Sequence, residues 1–301
     1  MIKGIDIAHS FFDGWGLPFL RAEYSHLVDR VASVVCGRSQ SLGHDDGLSR
    51  DHDWGPQFSL VLTADDMRRY GRWLSQRINA AAPREWDGYH LENGESVEVA
   101  SLNRWFRRQV NCEYPPKTDR AWYSKTRQDN LCMLKRATVF YDPLGEWTAR
   151  RQAFSTYPDR VWAWRASDEI YRVWHFGQYN FLDRLTPRRD HVAISIALGT
   201  FSEAAMRLTM TLAHEYSPFW KWVAAEFRRL PNVESLDQWL RQLAMTVDLD
   251  ERVHLVTAIC DELHTRVVNH FDLDPAPTNH PQHPLWRARQ ELLGKFPKTK
   301  K

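Results

Sequence analysis

Apolar residues are spaced differently in the two halves of the chain, and the change falls near residue 150. Before that point, short runs of β-branched and aromatic residues are bounded by Gly, Pro or Asp, which is typical of strands. Four runs have this pattern: Val31–Cys36, Phe58–Leu62, Val97–Leu102 and Thr138–Tyr141. Helical spacing appears between them, so we predict an α/β or α+β domain over residues 1–150.

The clearest helix of this half lies between the second and third strands. Thr63 offers a capping side chain, and Asp65 and Asp66 follow it. Apolar residues then recur at helical spacing as far as Ala82: Met67, Tyr70, Leu74 and Ile78. Asn93-Gly94 is typical of a tight hairpin turn. We therefore predict one long helix, followed by a hairpin that leads into the third strand.

The second half of the chain has helical spacing only. Apolar residues recur every three or four positions in five stretches: 159–182, 190–214, 217–229, 235–246 and 250–270. This pattern predicts a helical bundle over residues 151–271. The last segment, 272–301, is rich in proline and ends in lysines, and we expect an irregular basic tail there.

Composition narrows the class of protein. With 301 residues, 43% hydrophobic and 26% charged, the chain is typical of a globular protein of two domains. The net charge of +2 does not indicate a dedicated nucleic-acid surface or a polybasic membrane anchor. The four cysteines form no Cys-x-x-Cys pair, and no apolar run resembles a signal peptide or a membrane span. We expect free thiols, a cytoplasmic location and no membrane partner.

One segment has a pattern that indicates chemistry. An apolar strand ends at Cys36, the small residues Gly37 and Ser39 follow, and eleven residues separate Ser39 from Asp51. Asp51 and Asp53 are one residue apart, so on an extended strand both carboxylates lie on the same face. Paired carboxylate oxygens suit Mg²⁺. A small-residue turn also leaves backbone N–H groups free to hold phosphate oxygens.

The Asp-x-Asp spacing alone is a weak signal, because Asp248-Leu249-Asp250 and Asp272-Leu273-Asp274 repeat it. The combination of turn, gap and Asp-x-Asp, however, resembles the DNA polymerase β-type nucleotidyltransferase superfamily. Within that superfamily, the string GHDDGLSRDHDWGP at residues 43–56 resembles the bacterial family called domain of unknown function 4037. Three further segments agree with this resemblance, which spans roughly residues 1–245: Val139–Gly145, Tyr157–Trp162 and Tyr216–Trp222.

The resemblance implies a catalytic domain with a mixed sheet, joined to a helical domain. It also implies a nucleoside triphosphate as co-substrate and Mg²⁺ or Mn²⁺ held by Asp51, Asp53 and a third carboxylate. Asp142, which falls in a family-like segment, is favoured for this role, and Glu98 in the third strand is the alternative. Either residue has a simpler interpretation, since Glu98 can be an exposed strand residue and Asp142 a turn-capping one. His52 is expected to support the site rather than bind metal.

Phosphate contacts are expected from Gly37, Ser39 and, in the helical half, Lys221. Lys221 lies between two tryptophans and can equally cover apolar surface with its stem. One departure concerns Arg38. The superfamily usually has glycine directly before the serine of the turn, whereas here Arg38 precedes Ser39. Its side chain can either crowd the triphosphate or bind it.

The expected function is transfer of a nucleoside monophosphate from a nucleoside triphosphate to an acceptor hydroxyl, with release of pyrophosphate. A small-molecule acceptor is favoured over RNA or protein. The alternative is a catalytically silent nucleotide-binding or interaction module of the same fold. Motifs of zinc proteases, serine hydrolases and P-loop proteins do not occur in the sequence.

Overall fold

The computed structural model describes residues 3–46, 48, 54–91, 96–275 and 283–298. The chain forms two compact units. The first comprises Met1–Lys117 and Lys125–Ser155, and the second comprises Thr118–Ser124 and Thr156–Lys301. The change of unit therefore falls five residues beyond the predicted boundary at 150, and a short segment of the first half belongs to the second unit.

The strands lie in the first unit: β1 (Val31–Val35), β2 (Phe58–Leu62), β3 (Glu85–Trp86), β4 (Tyr89–His90), β5 (Val97–Ser101) and β6 (Thr138–Tyr141). The helices of this part of the chain are α1 (Gly4–Phe11), α2 (Leu17–Glu23), α3 (Arg38–Leu42), α4 (Ala64–Ala81), α5 (Leu102–Val110), α6 (Asp119–Lys125), α7 (Gln128–Lys135) and α8 (Glu146–Ala153). A π-helical turn (Phe12–Gly16) and a 3₁₀ segment (Ser25–Arg30) connect α1, α2 and β1.

Four strands form a mixed sheet in the order β5-β2-β1-β6. β1 is antiparallel to β2 and β6, whereas β2 and β5 are parallel. The register pairs Val34 with Ser59, and Ser59 with Glu98. Consequently, the end of β1 and the starts of β2, β5 and β6 lie at one edge of the sheet. The start of β1 and the ends of the other three strands lie at the opposite edge.

Aromatic and aliphatic side chains cover the sheet. Phe11 and Phe12 from the N-terminal helices, with Leu74 and Ile78 from α4, bury one face together with Phe58 of β2. Trp105 and Phe106 of α5 form a second aromatic cluster with Trp147 of α8 and with Phe154, which follows α8. Both clusters are buried, so neither presents polar groups to a ligand.

The predicted strands are confirmed to within one residue, and α4 ends at Ala81, one residue before the predicted end. The hairpin that precedes β5 is found at β3 and β4. Its two central residues, Asp87 and Gly88, both have positive φ, at 48° and 80°. A two-residue turn of this kind matches the twist of the strands and favours Asp-Gly. The predicted turn at Asn93-Gly94 lies outside the described residues.

The second unit is helical, as predicted: α9 (Asp159–Val173), a π-helical segment (Trp174–Leu185), α10 (Thr186–Arg188), α11 (His191–Leu212), a 3₁₀ turn (Trp220–Trp222), α12 (Val223–Phe227), α13 (Glu234–Met245), α14 (Leu249–Phe271) and α15 (Pro284–Lys295). Ile170, Phe201, Leu208 and Ile259 are fully buried at its centre. In the part of the chain that the structure describes, no helix is both long and apolar enough to cross a membrane.

The prediction of an irregular tail is wrong over Pro284–Lys295, which forms α15. Leu285, Ala288 and Leu292 recur at helical spacing and are buried in the core of the bundle. The prolines of this segment predict irregular structure by their number, but a proline in the first turn of a helix costs no hydrogen bond. Pro284 is the first residue of the helix, so it is compatible with α15.

Candidate functional site

A pocket of about 570 Å³ opens at the sheet edge where β1 ends and β2 and β5 begin. Its lining includes Cys36 and Gly37 of the turn after β1. The polar side chains of the lining come from β2 and β5, from the residue before each of these strands, and from α5 and α7: Gln57, Ser59, Ser96, Glu98, Arg108, Gln109 and Asn130. The volume falls within the range usual for small-ligand sites.

The local sequence explains why Glu98 and Arg108 meet in this pocket. Ser101 ends β5 and caps α5 by accepting a hydrogen bond from the N–H of Arg104, at 3.3 Å, so strand and helix follow each other without a loop. Glu98 lies about 10 Å before that junction at the usual rise of a strand. Arg108 lies about 9 Å after the start of the helix at the usual rise of a helix. The helix therefore returns Arg108 to the level of Glu98.

Both carboxylate oxygens of Glu98 are engaged. The Arg108 guanidinium donates through Nη1 to Oε1 and through Nη2 to Oε2. The Ser59 hydroxyl donates to Oε2 at 2.8 Å. The Glu98 and Arg108 side chains remain 31% and 52% exposed, respectively, so the pair lies in contact with solvent rather than in the core.

Burial shifts the pKa values of two groups at this edge. It raises the pKa of the Cys36 thiol to about 12, so at neutral pH this cysteine is a thiol and not a nucleophilic thiolate. It also lowers the pKa of Arg108, but an arginine remains charged in proteins. Among its described lining residues, the pocket therefore has one negative group, Glu98, and one positive group, Arg108, which compensate each other.

Asp142, the favoured third carboxylate, is not brought together with Glu98 and Gly37. β6 runs antiparallel to β1, and Tyr141 pairs with Ser33, so Asp142 lies beyond the end of β6 at the opposite sheet edge. Its Oδ2 accepts a hydrogen bond from the N–H of Thr148, at 2.8 Å, in the first turn of α8. This is the turn-capping role that the sequence left open, and we correct the preference for Asp142 in favour of Glu98.

Several predicted site residues lie outside what the structure describes. These are Asp51, His52, Asp53 and the side chain of Arg38. Gly37 is described, lines the pocket and immediately precedes α3. Ser39 lies within α3, and its carbonyl accepts a hydrogen bond from the N–H of His44, at 2.9 Å. The roles of the undescribed groups stay predictions.

Lys221 belongs to the second unit and is exposed in a 3₁₀ turn. Its Nζ lies 4.9 Å from the centre of the Trp222 ring, so the ammonium group makes a cation–π contact with that tryptophan. Arg207 of α11 is close to this turn, since it donates to the carbonyl of Pro218 at 3.2 Å and to Glu203 at 2.7 Å. A phosphate contact of Lys221 stays a prediction.

The chemistry of the donor set is compatible with Mg²⁺ in part. Glu98 and Ser59 offer hard oxygen donors at the edge where β2 begins, and Asp51-x-Asp53 precedes β2 in the sequence. Within the described ranges, no group of three or more His, Cys, Asp or Glu residues is arranged to hold a metal ion. A complete metal site at this edge therefore requires Asp51 and Asp53 in addition to Glu98.

Sequence reasoning missed Arg108, because Arg107-Arg108 has the composition of a solvated helix face. A signal was present. β5 leads directly into an amphipathic helix whose buried residues are Leu102, Trp105, Phe106 and Val110. Because such a helix folds back along the strand, an arginine two turns into the helix lies level with the start of the strand. The position of Arg108 follows once the strand and the helix are known to be adjacent.

Comparison with known proteins gives a family match and a structural similarity. Residues 122–223, about a third of the chain, match the protein family described as "Domain of unknown function (DUF4037)". A crystal structure of a nucleotidyltransferase-like protein from Exiguobacterium sibiricum 255-15 is similar at 14% sequence identity and a TM-score of 0.42, over 93% of this chain and 89% of that chain. No curated protein matches the chain.

The family match confirms the resemblance noted from the sequence. It includes the segments Val139–Gly145, Tyr157–Trp162 and Tyr216–Trp222. The Gly43–Pro56 segment, which carries Asp51 and Asp53, lies before the matched residues. The match therefore supports the resemblance over residues 122–223, whereas any chemistry at the pocket has to be argued from the pocket itself.

Proposed function

We propose that this protein is a metal-dependent nucleotidyltransferase that transfers a nucleoside monophosphate from a nucleoside triphosphate to an acceptor hydroxyl. The observation that carries the proposal is the pairing of β2 with β5. Glu98 of β5 stands opposite Ser59 of β2, at a polar pocket, and the Asp-x-Asp pair comes just before β2 in the sequence. A third carboxylate is thus available at the edge where this chemistry needs one.

The proposed roles follow from the chemistry of each group. Asp51, Asp53 and Glu98 would hold Mg²⁺ or Mn²⁺, which when bound neutralises charge on the triphosphate and makes the acceptor hydroxyl more acidic. Gly37, Arg38 and Ser39 would position the phosphates. Ser59 orients Glu98 through its 2.8 Å hydrogen bond. With little covalent work for the protein to do, positioning and charge stabilisation account for most of the rate.

The nature of the acceptor is also a proposal. We propose a small-molecule acceptor rather than RNA or protein. The near-neutral net charge of +2 agrees with this choice, since proteins that bind nucleic acid usually carry a strong positive surface.

One observation favours the second candidate, a catalytically silent nucleotide-binding module. Arg108 pairs with both oxygens of Glu98, and a carboxylate that is neutralised in this way is a poorer cation ligand. If the pair were permanent, the protein would bind a nucleotide without transferring it.

The proposal is tested with nucleoside triphosphates labelled at the α-phosphate, incubated with the purified protein, Mg²⁺ and extract of the source cells. We expect label in the small-molecule fraction, in addition to the remaining triphosphate. The double variant Asp51→Asn/Asp53→Asn should lose this label. The matched control is Asp272→Asn/Asp274→Asn, which changes an exposed Asp-x-Asp pair in the second unit.

The outcomes separate the candidates. Label in the RNA or protein fraction would keep the reaction and change the acceptor. Triphosphate binding by calorimetry without any transfer of label would favour the silent module. Equal transfer by the wild type and the Asp51→Asn/Asp53→Asn variant would refute the metal assignment.

A further inference from the structure

Arg108 is the only cationic side chain among the described residues that line the pocket. A bound triphosphate would bring negative charge to the same place, next to Glu98. Carboxylate and phosphate oxygens repel each other unless cations lie between them. The pocket therefore contains a positive group whose charge a triphosphate would need, and that group is bound to Glu98.

We propose that Arg108 is a triphosphate-binding residue that changes partner. Without nucleotide it pairs with Glu98, and with a triphosphate and a divalent cation present it binds phosphate oxygens while Glu98 binds the cation. This inference rests on the proposed function. It assigns Arg108 two alternative anionic partners, the Glu98 carboxylate and the phosphate oxygens of the nucleotide.

The geometry permits the exchange. The backbone of α5 is fixed by its buried face, which includes Trp105 and Phe106, so only the Arg108 side chain has to move. That side chain is 52% exposed, and exposed ion pairs contribute little to stability. A guanidinium presents parallel N–H groups that match two phosphate oxygens as well as they match a carboxylate.

The ion pair of the neighbouring arginine on α5 provides a matched control. Arg107 binds Glu113, and neither residue is among those lining the pocket that the structure describes. The Glu113 side chain is 29% exposed, close to the 31% of Glu98. Substitutions of Arg107 and Glu113 thus repeat the change of charge and of exposure without changing the pocket.

The test measures two ligands separately, by calorimetry and by the electron spin resonance of free Mn²⁺. The probes are Mn²⁺ alone and metal-free inorganic triphosphate. Arg108→Gln should strengthen Mn²⁺ binding about twofold to fivefold, because Glu98 is released from an exposed pair. The same variant should weaken triphosphate binding about tenfold or more, because hydrogen bonds to charged groups are lost.

Glu98→Gln should do the reverse, weakening Mn²⁺ binding and strengthening that of triphosphate. Arg107→Gln and Glu113→Gln should leave both affinities within about twofold of the wild type. Since all four residues are on the surface, we expect every variant to fold, and circular dichroism verifies it. Arg108→Lys, which keeps the charge but not the parallel N–H groups, should fall between Arg108→Gln and the wild type in triphosphate affinity.

The exchange is refuted if Arg108→Gln leaves triphosphate affinity unchanged in a protein whose wild type binds triphosphate. It is also refuted if Arg108→Gln binds triphosphate more tightly, because Arg108 would then block the site. A wild type that binds neither probe would instead refute the proposed function itself, so the two failures are distinguishable.

Discussion

Each edge of the four-stranded sheet has a carboxylate paired with an arginine, yet the two edges differ in accessibility. At one edge, Asp66 accepts from Arg30 Nε at 2.9 Å and from the Thr63 hydroxyl at 2.7 Å, with an Asp66 side chain only 6% exposed. The cavity nearby is about 10 Å³. At the other edge, Glu98 is 31% exposed beside a pocket of about 570 Å³.

Under the proposal above, the same kind of ion pair serves stability at one edge and ligand binding at the other, according to its surroundings. Asp66 lies in the first turn of α4, where the helix dipole also favours a carboxylate. The Asp66 carboxylate is only 6% exposed and the cavity nearby is small, so a ligand has little access to it. Glu98 and Arg108 face a space that can hold a ligand, so their pairing can be exchanged. Substitutions at four positions test this contrast.

Replacing Glu98 with Gln should reduce transferase activity at least about 100-fold, since even residues that only orient a metal ligand are worth about 10- to 100-fold. The free energy of unfolding should change by less than about 1 kcal/mol, because the pair is exposed. Glu113→Gln is the control and should keep its activity. Initial rates with labelled triphosphate, together with urea unfolding, check both parts. An active Glu98→Gln variant would remove Glu98 from the metal site.

Replacing Asp66 with Asn should instead lower the free energy of unfolding by about 2 kcal/mol, as hydrogen bonds to a charged group are lost. Burial alone would raise the pKa of Asp66, but hydrogen bonds from Arg30 and Thr63 hold it below its ordinary value. The stability from this carboxylate is therefore present above about pH 4 and is lost as the pH falls through the lowered pKa. Urea unfolding at pH 7 and at steps down to pH 3 measures it.

In that series, the difference between the wild type and Asp66→Asn should shrink below about pH 4. Triphosphate binding at pH 7 should be unaffected, because Asp66 lies at the edge away from the pocket. A difference that stays constant down to pH 3 would mean that the ionised form of Asp66 is not the stabilising one.

Replacing Asp142 with Ala should lower the free energy of unfolding by about 1 kcal/mol, the usual cost of losing a helix cap. Triphosphate and Mn²⁺ affinities should not change. Urea unfolding and calorimetry on the same preparation check this. A variant of normal stability that fails to bind Mn²⁺ would restore Asp142 as a metal ligand and contradict the assignment of Glu98.

Replacing Ser59 with Ala should have the smallest effect. Loss of the 2.8 Å hydrogen bond leaves Glu98 paired with Arg108 but less well oriented, so we expect Mn²⁺ affinity to fall by about fivefold or less. The free energy of unfolding should change by less than about 1 kcal/mol, because Ser59 is only half-buried. Titration with Mn²⁺ measures the effect, and a loss as large as that of Glu98→Gln would show that Ser59 binds the cation directly.

The sequence by itself determined the elements and the fold class. β2 and β6 occupy the predicted residues, and the helices of the second unit follow the predicted stretches. These features depend on the period of apolar residues and on caps such as Thr63, all of which act within a few residues along the chain. The number of prolines near α15 does not predict a helix. The position of Pro284 in the first turn is what makes it compatible with one.

Only the tertiary structure decided which carboxylate belongs to the pocket. Glu98 and Asp142 both belong to strands, or strand ends, that the sequence predicts. What separates them is that β5 and β6 run in the same direction, while Glu98 lies near the start of its strand and Asp142 follows the end of its strand. Strand order and direction arise from pairing between segments far apart in the chain, and no local pattern encodes that pairing. The partner of Glu98 was undecided for the same reason, since Arg108 reaches it only when α5 folds back along β5.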